Sequence, residues 1–183
     1  MGRPSVRSRR RAEVLGAFAR VLATHGQGGA TIARVAAEAE VAPGIVHHYF
    51  ESKQELYEML LAELMAQFHR RVDANPKADP LDAYLSAALE LDARGDVTAA
   101  RAWVGVFAEA LGDPTLFAKV RRVLDAEIVR VERRARGTLS TSGASAVVAF
   151  VVGALVFGAF APKKTAGFAA PSLRRMLIGL RQS

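Results

Sequence analysis

The apolar residues of this chain recur every three or four positions along most of its length, which is the spacing of one face of an α-helix. Sustained alternation of apolar and polar residues, the pattern of a half-buried strand, is not found outside short ambiguous runs. A chain of 183 residues can bury a substantial core without disulfides or metals. The sequence therefore predicts an all-α protein of about nine helices.

Glycine, proline and capping residues set the predicted helix boundaries. Gly26 would end the first helix, and Thr31 would cap the second. Ser52 and Glu55 form a capping box that begins a long fourth helix. The predicted helices span residues 9–24 and 31–39, a short stretch that begins at 43, and then residues 52–75, 79–93, 97–111, 113–136, 144–161 and 171–180.

The charge balance and the lack of cysteine limit the possible functions. There are 25 Lys and Arg residues against 18 Asp and Glu, and this surplus favours an anionic partner, either nucleic acid or an acidic membrane surface. The absence of cysteine excludes disulfide scaffolds, cysteine-ligated metals and thiol nucleophiles. The basic N-terminus is followed by no apolar segment of the kind a secretory signal has, so a cytoplasmic protein is expected.

Residues 144–161 are apolar and uncharged over a length that could span a membrane. Alanine and glycine fill much of this segment, and they contribute little transfer energy compared with leucine or isoleucine. We interpret it as a helix buried on all sides in a helical body, or at a subunit interface. The alternative is a membrane-anchored helical protein that uses 144–161 as its span.

The first fifty residues have the outline of a helix-turn-helix module, in which two short helices joined by a tight turn follow a supporting helix. Ala36 and Ala37 are small enough for a close helix crossing. Val41, Val46 and Phe50 are the apolar residues that would hold the second helix in place. The candidates for contact with DNA on its exposed face are Gly44, His47, His48 and Tyr49.

This segment reads Thr31-Ile32-Ala33-x-Val35-Ala36, then Val41-x-x-Gly44-Ile45-Val46-His47-His48-Tyr49-Phe50-x-Ser52-Lys53-x-x-Leu56. It resembles the TetR family of transcriptional regulators over about residues 10–60. The resemblance implies a homodimer with a DNA-binding domain (1–53) and a helical ligand-binding and dimerisation domain (54–183). Its partners would be double-stranded operator DNA and a small-molecule effector, and repression is expected. A second stretch, which is similar to the BetI-like subgroup that represses choline-oxidation genes, is Ala102-Trp103-x-x-x-Phe107-Ala108-Glu109-Ala110-Leu111-x-Asp113-Pro114.

The resemblance also implies a role for each matching position. Gly44, His47 and His48 would lie in the major groove, whereas Thr31, Tyr49 and Lys53 would contact phosphates. Arg34 is placed to touch either a phosphate or a base. The N-terminal arginines would form a flexible arm on the minor groove or the phosphates, the alternative being a solvated tail. These arginines are Arg3, Arg7, Arg9, Arg10 and Arg11, of which Arg9 and Arg10 are the predicted contacts.

Two positions depart from the family pattern. Glu40 stands where the family usually has a glycine in the turn, which would strain the turn or repel a nearby phosphate. Ala42 stands where a serine usually caps the next helix, and the loss of such a cap costs about 0.5–2 kcal/mol.

The implied effector needs a partly apolar cavity with a few polar groups in the C-terminal helices. The candidate lining residues, each aromatic one equally suited to an ordinary core, are Met65, Phe68, Tyr84, Trp103, Phe107, Glu109 and Phe117. Glu109 or Asp92 would orient a polar or cationic head, and Trp103 would stack on a cation. The candidate dimerisation residues, from the apolar helix and the last helix, are Val147, Phe150, Val151, Leu155, Leu173, Leu177 and Leu180.

Enzymatic and metal-dependent functions are not expected. No nucleophile elbow, phosphate-binding loop, dinucleotide fingerprint or zinc-protease motif occurs in the sequence. His47 and His48 are adjacent and so do not share a helix face, and no second histidine or carboxylate stands at ligand spacing. We therefore expect no catalytic residues, no metal and no cofactor.

Overall fold

A computed structural model of the chain describes residues 6–74, 79–89 and 96–180. Within these ranges the backbone forms nine α-helices and no strand, so the predicted all-α class is confirmed. The helices are α1 (Val6–Gly29), α2 (Ile32–Glu38), α3 (Pro43–Tyr49), α4 (Lys53–Asp73), α5 (Pro80–Leu89), α6 (Asp96–Ala110), α7 (Pro114–Arg134), α8 (Thr141–Phe160) and α9 (Pro162–Leu180).

Side-chain caps fix the starts of three helices where the sequence predicts them. The Thr31 hydroxyl accepts a hydrogen bond from the Arg34 amide at 3.3 Å, and the Ser52 hydroxyl accepts one from the Glu55 amide at 3.1 Å. The Asp113 carboxylate accepts from two amides at the start of α7, at 2.8 and 2.9 Å. Because each cap depends on residues close in sequence, these boundaries could be found without tertiary information.

Three other boundaries differ from the prediction. Gly26 interrupts α1 with a φ of 67°, as a stop glycine should, but a further helical turn follows it to Gly29. Ser140 caps α8, so this helix begins at residue 141 and not at 144. The last helix begins at residue 162 and not at 171, because a proline fits the first turn of a helix as well as it ends the preceding one.

The buried residues form two clusters that meet along α4. The first joins α1, α2, α3 and the start of α4 to α6 and the first turns of α7, and the second joins α5, α7, α8 and α9. Phe18 and Tyr57 stack edge to face at 4.9 Å inside the first cluster. The N-terminal helices thus share a core with α6 and do not form a separate body.

The tightest crossing lies between α1 and α6. A Cβ atom added at Gly105 would lie only 2.5 Å from Cγ of Leu22, which is itself buried. Glycine is therefore required here for the close approach of the two helices rather than for an unusual backbone angle. This contact links the helix that supports the helix-turn-helix to one of the long C-terminal helices.

Among the described residues, one helix, α8, is long and apolar enough to cross a membrane. Only 33% of its most apolar stretch is buried within the chain, so the chain alone does not bury this helix on all sides, and its place at a subunit interface stays a prediction. One side packs against α6, α7 and α9. The other side exposes an apolar stripe, named the α8 stripe here, which consists of Ala146, Ala149, Gly153, Phe157 and Phe160.

Candidate nucleic-acid interface and ligand cavity

The helix-turn-helix is assembled from α2 and α3 around a small buried seam. Val35 and Ala36 of α2 are buried, as are Val46 of α3 and Phe50 just after it, and Val41 in the turn is half-buried. Ala37, predicted at the helix crossing together with Ala36, is exposed instead. With so few inward-facing residues, most of α3 remains outside the core.

The turn between these helices holds Glu40 in the left-handed region, at a φ of 54°. A side chain in this conformation costs roughly 1–2 kcal/mol, which glycine avoids. The predicted strain at this departure from the family pattern is therefore present in the backbone. Ala42, the second departure, precedes α3 without any side-chain cap.

We expect the substitution Glu40→Gly to stabilise the chain by about 0.5–1 kcal/mol. Relief of the left-handed strain, roughly 1–2 kcal/mol, exceeds the entropic cost of glycine, roughly 0.5–1 kcal/mol. The free energy of unfolding in urea measures the change. Glu40→Gln is the matched control, because it removes the charge and keeps the strain. Equal stabilisation by both variants would assign the effect to charge and not to the backbone.

The exposed face of α3 carries the residues predicted to meet base pairs. Gly44, His47 and His48 are all exposed, and a Cβ atom added at Gly44 would meet nothing within 4 Å. Tyr49 is half-buried, and its ring lies edge to face with that of His48 at 5.1 Å. These side chains offer hydrogen-bond donors and flat rings on one short helix whose opposite side is held in the core.

The residues predicted to contact phosphates are drawn together near the start of α2. Lys53 extends from the first turn of α4, and its ammonium group donates to the Gln27 carbonyl at 3.4 Å. Arg34 donates to the Gly29 carbonyl at 2.9 Å, and Thr31 remains exposed beside it. Two cations thus flank the exposed end of α2.

The expected flexible arm is wrong for Arg7, Arg9, Arg10 and Arg11, which lie in the first turns of α1; Arg3 lies outside the described residues. Glu13 explains the helical start, because Arg9 and Arg10 pair with it at 3.6 and 2.8 Å from neighbouring turns. Arg11 pairs with Glu55 of α4 and lies over the Phe50 ring, 5.1 Å from its centroid. Arg11 therefore ties α1 to the end of the helix-turn-helix.

A cavity of about 80 Å³ lies between α4, α5, α6, α7 and α8. Five of the seven residues proposed for a ligand site line it, and these are Met65, Phe68, Tyr84, Trp103 and Phe107. Phe68 and Tyr84 stack edge to face at 5.3 Å, and Trp103 lies 5.4 Å from Phe107. Most of the wall is apolar, with polar groups supplied by Gln67, Arg71, Tyr84 and Glu127.

Glu127 is the cavity residue that sequence reasoning missed. Its side chain is 7% exposed, and its Oε1 atom lies 2.7 Å from Nε2 of His69 and accepts from Nε of Arg130 at 3.2 Å. Its Oε2 atom is buried with no hydrogen-bond partner, which costs about 1–3 kcal/mol for a polar group. Burial and the Glu127 charge together raise the pKa of Tyr84, so its hydroxyl stays protonated.

The acidic residues first considered for the cavity lie elsewhere. Glu109 does not line it; its buried Oε2 atom has no partner, and burial together with this neighbouring carboxylate raises the pKa of Tyr57. Phe117 is half exposed and also away from the cavity. Asp92 lies outside the described residues.

None of the described side chains predicted to form the dimer contact is fully exposed. Val147, Leu173 and Leu177 are buried in the core of the same chain, so they are not available to a second copy. Val151 and Leu155 line the cavity, Phe150 is half-buried, and the side chain of Leu180 lies outside the described part of the chain. Among the described side chains of these two helices, the large exposed apolar ones are the two phenylalanines of the α8 stripe together with Met176 and Ile178 of α9.

In the described ranges, no group of three or more histidine and acidic side chains is placed to hold a metal ion. His47 and His48 are exposed on α3, and His69 contacts Glu127.

Comparison with known proteins places residues 14–60 in the family model described as bacterial regulatory proteins of the tetR family. A curated relative, the HTH-type transcriptional regulator BetI of Burkholderia lata, is 29% identical over 163 residues, which cover 81% of this chain and 82% of that protein. Residues 14–60, which match the family model, contain every residue of the helix-turn-helix described above.

Solved structures agree with this fold over nearly the whole chain. A transcriptional regulator from Rhodococcus sp. Rha1 superposes with a TM-score of 0.83 at 22% identity, covering 94% of this chain and 96% of that one. The multidrug binding protein EbrR, solved as a complex with imidazole, superposes with a TM-score of 0.67 at 23% identity, covering 94% and 95%. At these identities the likeness concerns the fold.

Proposed function

We propose that this chain, which belongs to the TetR family of bacterial transcriptional regulators, is a cytoplasmic repressor that binds a palindromic operator as a homodimer and leaves it when a small-molecule effector binds. It is a DNA-binding protein and not an enzyme, as the names of its relatives indicate. The membrane-anchored alternative is not favoured, because the fold of a solved transcriptional regulator matches 94% of this chain.

The exposed α3 face is the single observation that carries the proposal. Gly44, His47 and His48 project from a helix whose other side is anchored by buried Val46. A helix held in this way can enter the major groove of DNA while its donors reach base edges. Lys53 and Arg34 lie at the adjacent helix ends, where phosphates pass in this docking geometry. In this proposal residues 1–53 act as the reader and residues 54–183 as the ligand-binding and dimerisation part.

We expect Tyr49→Phe combined with Lys53→Ala to weaken operator binding about ten-fold or more and to reduce its salt dependence. Each lost phosphate contact lowers the slope of log affinity against log salt by about 0.9. The operator is first selected with the wild-type chain from random duplexes and from the DNA that flanks its own gene. Gel shifts at several salt concentrations then measure affinity and slope.

Arg122→Ala is the matched control for this experiment, because it removes one exposed positive charge on α7, outside the DNA-binding helices and outside α8 and α9. Both variants should keep the wild-type unfolding midpoint. An unchanged salt slope in the double variant would contradict the phosphate assignment, and the absence of any selected duplex would contradict the proposed function.

The proposed homodimer forms through α8 and α9. The α8 stripe exposes two phenylalanines, with Phe157 45% and Phe160 79% exposed, and small residues between them allow close helix approach. Met176 and Ile178 of α9 are also exposed apolar residues. Apolar surface of this kind on a soluble chain marks an interaction site. Pairing α8 and α9 of two copies would cover it.

The proposed effector binds in the cavity between α4 and α8. A volume of about 80 Å³ is small, since an apolar cavity of about 150 Å³ is needed to take up benzene. A ring-containing effector must therefore push the walls apart. Leu64, Met65 and Phe68 form the α4 wall, and the same helix begins at Lys53 beside the DNA-binding helices. An effector that prefers the widened cavity would thus favour a placement of the readers that no longer fits the operator.

A further inference from the structure

The chemistry of the cavity restricts the kind of molecule that it accepts, and this step rests on the proposed function of the cavity as the effector site. Glu127 is the one buried acidic side chain in its described lining. His69 and Arg130 both lie against its Oε1 atom, so neither serves Oε2. The free acceptor Oε2 is therefore the unsatisfied group of this site.

The aromatic side chains of the cavity favour a positive charge near this carboxylate. Four aromatic residues line the same cavity, and aromatic faces attract cations. Burial, followed by the Glu127 charge, raises the pKa of Tyr84, so Tyr84 remains a neutral phenol. Its hydroxyl is the protein donor that would compete for this carboxylate, although Oε2 is left without a hydrogen bond. His69 and Arg130 lie against the carboxylate, Arg71 also lines the cavity, and all three side chains reach solvent at least in part.

The charge of Glu127 would attract any organic cation, but its free oxygen also requires a hydrogen-bond donor. A buried carboxylate oxygen without a partner is satisfied by a donor, and a charged N–H group makes the stronger, charge-assisted bond. A quaternary ammonium carries no N–H and would leave Oε2 unsatisfied. A neutral alcohol supplies a donor without the charge that the aromatic rings favour.

We infer that the effector is a small aromatic or apolar amine whose protonated nitrogen donates a hydrogen bond to Oε2 of Glu127, while its apolar part lies among Phe68, Trp103 and Phe107. The nitrogen enters at the α7 wall, and the apolar part widens the cavity toward α4. Glu127 is the residue that selects an N–H cation over both its methylated and its neutral analogue.

The single tryptophan of the chain reports on binding, because Trp103 lines the cavity. We would titrate the full-length protein with benzylamine, benzyltrimethylammonium and benzyl alcohol near neutral pH and follow Trp103 fluorescence. Benzylamine is expected to bind at least ten-fold more tightly than either analogue. In Glu127→Gln this preference should fall to about two-fold or less, while Tyr84→Phe should keep most of it.

The wild-type series is decisive by itself if Glu127→Gln fails to fold. Equal or tighter binding of benzyltrimethylammonium, a preference that survives Glu127→Gln, or no binding of any of the three probes at millimolar concentration would overturn the inference. Operator release is measured separately by gel shift with the same amine. Amine binding that leaves the operator complex intact contradicts the proposed effector response and supports the ligand chemistry.

Discussion

Replacing Gly153 with arginine is expected to convert the proposed homodimer into monomers and to lower operator affinity about 100-fold or more. Gly153 lies in the middle of the α8 stripe, and a Cβ atom added there would meet nothing within 4 Å. The monomer therefore gains no clash, and removing a helix-interior glycine favours the helix by up to about 1 kcal/mol. In a dimer, however, the same position would place an unpaired charge inside an apolar contact.

The loss of DNA affinity follows from the loss of two linked readers. When one reader of a dimer has bound, the second binds its half-site as an intramolecular step, which can add about 10²–10⁴ to the affinity. Light scattering after size-exclusion chromatography measures the oligomeric state, and gel shifts on the selected duplex measure affinity.

Ala62→Arg provides the matched control, since Ala62 is also exposed on a long helix but lies on α4. It should leave both the dimer and its affinity close to the wild type. A Gly153→Arg protein that remains dimeric would remove the α8 stripe from the subunit contact. A monomer that binds the operator as well as the wild type would contradict the need for two readers.

The helix-turn-helix could be predicted from the sequence because its determinants are local. Thr31 and Ser52 cap helices through residues three positions away, and Val46 and Phe50 follow the apolar spacing of a short helix. Even the strain at Glu40 was accessible, because a turn that favours glycine requires a positive φ whatever residue occupies it.

The cavity required information that no short window of sequence contains. Glu109 and Glu127 both lie on helices with apolar neighbours, and only the rotation of each packed helix decides that Glu127 faces the cavity. The same limit applies to Arg11, whose partner Glu55 is distant in sequence and lies on α4. The position of Glu127 in the cavity and the partner of Arg11 thus depend on long-range packing, which the spacing of apolar residues in the sequence does not reveal.

Gly105 is another residue whose importance appears only in three dimensions, and Gly105→Ala is expected to lower the free energy of unfolding by about 1–3 kcal/mol. The new methyl group would lie 2.5 Å from Cγ of Leu22 and within 2.8 Å of both its terminal carbons. Since Leu22 is buried, its side chain has no free space to enter, and α1 must move away from α6. The unfolding transition in urea measures the loss.

A double-mutant cycle with Leu22→Ala separates this clash from a general weakness of α6. Leu22→Ala alone should cost about 2–5 kcal/mol, because it leaves a cavity between the two helices. The double variant should lose less stability than the sum of the two single losses, by about 0.5–3 kcal/mol, since the alanine methyl at 105 then fills part of that space.

Gly16→Ala is the matched control on α1, where an added Cβ meets only the Arg20 guanidinium at 3.6 Å. If Gly105→Ala is as well tolerated as Gly16→Ala, or if the two costs simply add, then the α1–α6 crossing does not depend on this glycine. If the cycle shows the expected coupling, positions 105 and 22 interact directly at the contact that joins the supporting helix of the reader to the helix carrying Trp103.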